Sequence, residues 1–190
     1  MLYDLVEKNR SYRRFYEDEK IPGEALLKLI ELARLTPSSV NFQPLRYMII
    51  TDDERRAKVF ETLGWAGLLK DWDGPVPGER PAAYILILLD KSIVKNMMKD
   101  VGIVAQTMML GAAEQGFGGC MLGNIDRPAL AASLGIDDEK YSIELCLALG
   151  KPKEKVVITE VGADGSTAYY READGTHCVP KRKTEDLIIN

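Results

Sequence analysis

The chain has 190 residues, 46% of them hydrophobic and 28% charged, with a formal net charge of −4. That length predicts one domain over residues 1–190 with a sizeable core, and the composition excludes disordered and fibrous classes. The acidic balance argues against a general nucleic-acid binder. No apolar stretch of about 18 residues runs without charge, and Met1-Leu2-Tyr3-Asp4 lacks a basic-then-apolar leader, so a cytoplasmic protein with no membrane partner is expected.

A short helical pattern over 5–9 leads into a cationic loop, Arg10-Ser11-Tyr12-Arg13-Arg14-Phe15. Pro22 suits a first helical turn, and Leu26, Leu29, Ile30 and Ala33 recur at helical spacing until Thr36-Pro37 stops the helix. Residues 37–44 are proline-bounded and rich in turn-formers, so they read as a loop. A strand over 47–51 and a charged-faced helix over 52–63 follow. Residues 64–80 carry Trp65, Trp72 and a Gly-Pro-Val-Pro-Gly run, which predicts an irregular excursion with aromatic surface. Each tryptophan is a candidate either for packing or for stacking on a ligand.

Residues 84–89 are apolar without alternation, as in a strand buried on both faces. The run 101–113 is apolar almost all round and rich in small residues, which predicts a fully buried helix open to close approach by another, with a dimer partner as the expected neighbour. Residues 116–123 read as a glycine-rich connection into a strand, 127–134 as a short helix and 142–149 as the last strong strand. The segment 151–190 reads as an extended tail with weak hairpin pairing, ordered only by packing on something, such as a dimer partner. Strands alternating with helices indicate an α/β or α+β domain. The three cysteines, Cys120, Cys146 and Cys178, show neither a CxxC pair nor histidine partners; the first two read as core residues. Cys178 follows the only histidine, His177, but neighbours in an extended segment point to opposite faces.

Two cationic clusters stand out in an acidic chain, Arg10 with Arg13 and Arg14, and Lys181-Arg182-Lys183. By charge alone such runs are more often solvated surface. As a site they suit a phosphate monoester, with guanidinium pairs, a lysine point charge and the Ser11 hydroxyl. Ser39, Asn41 and Gln43 alternate along a segment read as extended, so they point one way and offer hydrogen bonds to a flat heteroaromatic ring. Gly116, Gly118 and Gly119 do not fit the dinucleotide pattern GxGxxG; they read as room for a backbone beside a planar ligand.

R-S-x-R at 10–13, P-S-S-x-N-x-Q-P at 37–44, the buried helix leading into G-F-G-G-C-M-L-G-N at 116–124 and P-K-R-K at 180–183 together resemble the nitroreductase family of FMN enzymes. The resemblance implies an α+β sandwich with a mixed, mainly antiparallel central sheet and surrounding helices. It also implies a homodimer with two FMN sites at the interface and a C-terminal tail extending over the partner. By motif, Arg10, Ser11 and Arg13 would meet the FMN phosphate, and Arg182, with Lys181 or Lys183, would close it. Pro37, Ser38, Ser39, Asn41 and Gln43 would border the flavin, in related enzymes often from the other subunit. Leu122, Gly123 and Asn124 match the stretch whose backbone approaches flavin N5. Gln106 reads as core or interface. The implied chemistry is hydride transfer from NADH or NADPH to N5 and on to a small electron-poor acceptor, with no catalytic side chain required. Alternatives are a dehalogenating or flavin-degrading branch of the family, or a flavin sensor without turnover.

Overall fold

The computed structural model describes residues 1–189. The unbroken apolar run becomes the middle of a sheet. Every residue of β3 (Ala83–Asp90) is buried, and β3 pairs antiparallel with β2 (Leu45–Ile50) on one side and β5 (Tyr141–Pro152) on the other. The far edge of β5 pairs, again antiparallel, with β4 (Gly118–Leu122) and then with the two-residue β1 (Phe15–Tyr16).

Both faces of this sheet are covered, which is why its central strand does not alternate. Ile85, Ile87 and Leu89 pack with buried residues of α2 (Gly23–Leu35) and α4 (Met98–Glu114). Tyr84, Leu86 and Leu88 face the other way, toward Val59 of α3 (Asp53–Glu61) and Leu130 and Ala131 of α5 (Arg127–Leu134). Local signals set the helix ends. Asp52 accepts from the Arg55 N–H and Asp126 from the Ala129 N–H, and Gly135 closes α5 at φ +66°. A further helix, α1 (Leu2–Lys8), buries no residue. Among the described residues no helix is long and apolar enough to cross a membrane.

Three expectations are corrected. The helix predicted to be fully buried is α4, which leaves Gly102, Ile103 and Gln106 exposed while Val101, Val104, Ala105, Met108 and Met109 enter the core. Its close helical neighbour is α2 of the same chain: a Cβ on Gly111 would fall 2.3 Å from Leu32 Cδ1. Gly118 and Gly119 lie inside β4 rather than before it. The segment read as a tail forms the weak hairpin expected of it, β7 (Tyr170–Arg171) antiparallel with β8 (His177–Lys181), but β8 also pairs parallel with β6 (Val156–Glu160), so the segment is a second sheet. A turn at 173–175 makes the β7–β8 connection, where Gly175 at φ +83° donates its N–H to Glu172 O. The irregular excursion is as read, and its tryptophans pack on their own chain. Trp65 is buried against Phe60 and Gly74, and Trp72 lies under the Arg171 guanidinium at 4.3 Å. Cys120 and Cys146 are core residues whose thiols burial pushes up.

Candidate functional site

The N-terminal arm reaches its place through the glycines of β4. Ser11 forms a parallel bridge with Gly119, and the Tyr12 N–H donates to Gly119 O at 2.9 Å. A Cβ on Gly118 would fall 2.5 Å from the Tyr12 ring, and one on Gly119 would fall 2.3 Å from Ala148 O. On their Cβ side these glycines therefore admit the chain's own arm and neighbouring strand. Because Ala148 O is backbone and cannot swing aside, Gly119→Ala is expected to cost about 2–4 kcal/mol in urea denaturation. A change below about 0.5 kcal/mol would show that β4 and β5 are not in this contact.

Behind the arm, its charges divide. Arg14 donates twice to Glu79, at 2.5 and 2.7 Å, and Lys153 lies 3.2 Å from the same carboxylate. Hydrogen bonds from Arg14 hold the Glu79 carboxyl down at about 2 against the opposing pull of burial. Arg14 is thus a structural ion pair. The backbone N–H groups of Arg13 and Arg14 both donate to Glu154, whose other oxygen accepts from Arg171 at 3.2 Å, tying the arm to the small sheet.

Arg10 and Arg13 remain, and both line a cavity of about 320 Å³ together with Ser11, His177 and Lys181. Met109, Met121, Val179 and the Tyr169 ring supply its apolar wall, and Gln106 lies at its rim. Among the described residues no carboxylate lines it. Arg13 is only 9% exposed, stacks 5.0 Å over Tyr169, and uses Nη1 on Ser11 O at 3.2 Å. Among the described residues the Nε atoms of Arg10 and Arg13 have no partner and are buried, as is Nδ1 of His177. Buried donors left unpaired cost about 1–3 kcal/mol each, so the cavity is poised for an acceptor-rich anion. A phosphate, the polar end of FMN, fits that donor set.

Strand alternation explains the C-terminal contribution. His177, Val179 and Lys181 occupy one face of β8 and all three line the cavity, with Cys178 and Pro180 on the other. Arg182 follows the end of the strand, is exposed and does not line the cavity; Lys183 is likewise exposed. In β4 the same alternation sends Gly119 and Met121 to the cavity and Cys120 and Leu122 to the core. Gly123 and Asn124 lie exposed just beyond, with Asn124 O accepting the Gly64 N–H at 2.9 Å.

The loop at 37–44 departs from its expected form. Ser39–Asn41 is a 3-10 turn, and Val40, Asn41 and Gln43 sit at φ +52°, +55° and +48°, so Ser39, Asn41 and Gln43 do not alternate along an extended segment. The serine hydroxyls are engaged. Asp100 of α4, 1% exposed, accepts Ser38 Oγ at 2.6 Å, Ser39 Oγ at 2.8 Å and the Ser39 N–H, and Gln43 N donates to Ser38 Oγ. Pro37, Ser38 and Gln43 line a different cavity, of about 270 Å³, beside Asp100 and Tyr47. Within one chain the arm and this loop are not brought together.

Residue-type reasoning missed His177, Tyr169, Met109 and Met121, and kept Gln106 out of the site. The alternation in His177-Cys178-Val179-Pro180-Lys181 was the available signal, since it groups the histidine with Lys181.

The pattern of the Nitroreductase family matches residues 6–151. An iodotyrosine deiodinase of Thermotoga neapolitana is 30% identical over 134 residues, covering 62% of this chain and 71% of that one. The Bacillus subtilis protein YdgI, provisionally assigned as an NAD(P)H nitroreductase, is 25% identical over 185 residues, covering 80% and 88%. A Desulfovibrio desulfuricans protein provisionally assigned as a nitroreductase, solved in complex with FMN, superposes with a TM-score of 0.73 at 24% identity over 100% of this chain and 95% of that one. The α+β fold with its mainly antiparallel sheet is the fold of these neighbours.

Proposed function

The chain belongs to the nitroreductase family, and we propose that it is an FMN-dependent oxidoreductase that draws hydride from NADH or NADPH and delivers it to a small electron-poor acceptor such as a nitroaromatic or quinone. The observation that carries this reading is the cavity of Arg10, Ser11, Arg13 and Lys181, which among the described residues has unpartnered buried donors and no carboxylate in its lining. FMN bound there supplies a ring that takes and gives hydride at N5. Arg10 and Arg13 orient the phosphate, Ser11 offers a hydroxyl, and Lys181 adds a point charge from the tail. Met109 and Met121 give the adjoining apolar wall that a flat ring requires. Gly123 and Asn124 are exposed just beyond Met121, which supports a role along the reactive edge for them and for the backbone of Leu122, whose side chain is in the core.

The working unit in this reading is a homodimer. α1 exposes Leu2, Tyr3 and Val6, α4 exposes Met98 and Ile103, and the loop exposes Val40 and Phe42. Such apolar surface marks an interface. A two-fold partner would bring its loop, with Asn41 and Gln43, to the cavity that a single chain leaves without it. The strain of three non-glycine residues at positive φ in that loop fits a segment shaped for a ligand. The small C-terminal sheet would lie against the partner on its exposed side.

Purified protein is expected to be yellow and to bind added FMN more tightly than riboflavin, and bound flavin is expected to bleach with NADH or NADPH under anaerobic conditions. A protein that binds neither flavin would defeat the proposal. Flavin that neither nucleotide reduces would leave the sensor reading instead. The 30% identity to a deiodinase favours one second reading, reductive dehalogenation of a halophenol. Turnover with iodophenols but not with nitroaromatics or quinones would select it.

A further inference from the structure

The imidazole that lines the cavity has a neighbour that assigns its proton. Arg13 Nη1 lies 3.4 Å from His177 Nε2. A guanidinium is always protonated and can only donate, so Nε2 must be the atom carrying the lone pair. The single proton of a neutral imidazole is then on Nδ1. The surroundings keep the ring neutral: burial, then the charges of Arg13 and Arg171, hold its pKa below the ordinary histidine value, and the Glu154 carboxylate only partly opposes them.

This Nδ1–H has no acceptor among the described residues. His177 is 1% exposed and Nδ1 has no partner among the described residues, while the backbone N–H of the same residue is satisfied by Lys155 O at 2.9 Å. Around the ring stand Arg13 from the arm, Glu154 from the β5–β6 connection, Arg171 from β7 and the Tyr169 ring, centroid to centroid 5.2 Å. Glu154 is occupied by Arg171 and the arm's backbone. A buried donor on a side chain beside a cavity lined by other donors is best satisfied by an acceptor-only ligand.

We propose that His177 donates a hydrogen bond from Nδ1 to the phosphate of the bound flavin, as a phosphate ligand additional to the family's basic residues. This rests on the reading of the cavity as an FMN phosphate site. Through its other nitrogen the same ring accepts from Arg13, so one side chain both holds the arginine in place and contacts the anion. Because β8 carries His177 and Lys181 on one face, the small sheet closes the cavity as a unit.

Titrations of FMN and of riboflavin into wild type, His177→Ala and His177→Asn test the proposal. His177→Ala is expected to weaken FMN binding about tenfold, the loss of one hydrogen bond to a charged group, and to leave riboflavin affinity unchanged. An asparagine carries its amide nitrogen where Nδ1 stands, so His177→Asn is expected to stay within about threefold of wild type for FMN. His177 is the only histidine, so its ¹⁵N ring signals need no assignment. They are expected to show the Nδ1–H tautomer and to move with FMN but not with riboflavin. Equal losses for both flavins, no loss in the alanine variant, an asparagine variant as weak as the alanine one, or a proton on Nε2 would each overturn the assignment. A wild-type protein without preference for FMN over riboflavin would overturn the phosphate site itself along with it.

Discussion

Arg13→Ala is expected to weaken FMN binding by about a hundredfold, Lys181→Ala by about tenfold, and Arg182→Ala by less than about twofold. The order follows from burial and direction rather than from charge, since all three are cations. Arg13 is 9% exposed, and its guanidinium is already aligned by Ser11 O, the Tyr169 face and the His177 ring, so little side-chain freedom is lost when an anion arrives. Lys181 lines the cavity at the end of β8 but is exposed, so water and salt weaken its contribution. Arg182 stands beyond the strand and outside the cavity. Removing Arg13 also removes packing on Tyr169, for which a loss of about 1–2 kcal/mol in urea denaturation of the apo protein is expected. Affinity is read by fluorescence titration below the unfolding transition, and the Lys181 effect shrinks as salt is raised. An Arg182→Ala variant weaker than Lys181→Ala would mean that the tail is arranged differently when FMN binds.

How much was legible depended on the range of the interaction. β3 and α5 declare themselves locally, the first by an apolar run too short for a helix, the second by Asp126, Pro128 and Gly135 at its ends. The arm's basic residues were visible, but their division was not, because Arg14 finds Glu79 sixty-five residues away. The loop failed for the same reason. Ser38, Ser39, Asn41 and Gln43 look like ligand donors in isolation, and only the fold reveals Asp100 beneath the serines. Gly118 and Gly119 were seen as special and given the wrong neighbour, since a Cβ-free position says that something is close without saying what. The parallel pairing of β6 with β8 skips over β7, a non-local register that no turn signal encodes.

Asp100→Ala is expected to destabilise the fold by about 2–4 kcal/mol and to disable flavin binding by freeing the loop, although the residue lines no part of the cationic cavity. The carboxylate is 1% exposed and has no cation within ion-pair distance among the described residues. It is compensated by donors from Ser38 and Ser39 alone. Burial alone would raise its pKa, and these hydrogen bonds together bring it below the ordinary carboxylate value. The folded state therefore disfavours the proton relative to the unfolded chain. Stability from this group is fully present above the usual carboxylate range and is lost as pH falls through it. Urea denaturation from pH 7 to pH 3 should show that loss in wild type, and Asp100→Asn should lack this component. The loop's partner can then be identified by mixing subunits. If each cavity is completed by the loop of the other subunit, a mixed dimer of Arg13→Ala and Asp100→Ala chains gathers both defects in one site and leaves the other intact. Such dimers should recover about half of the wild-type FMN sites, the share that symmetry assigns. If the loop serves its own chain, each site carries one defect and no recovery occurs. Parent homodimers with almost no bound FMN beside a mixed dimer with half would place loop and cavity on opposite subunits.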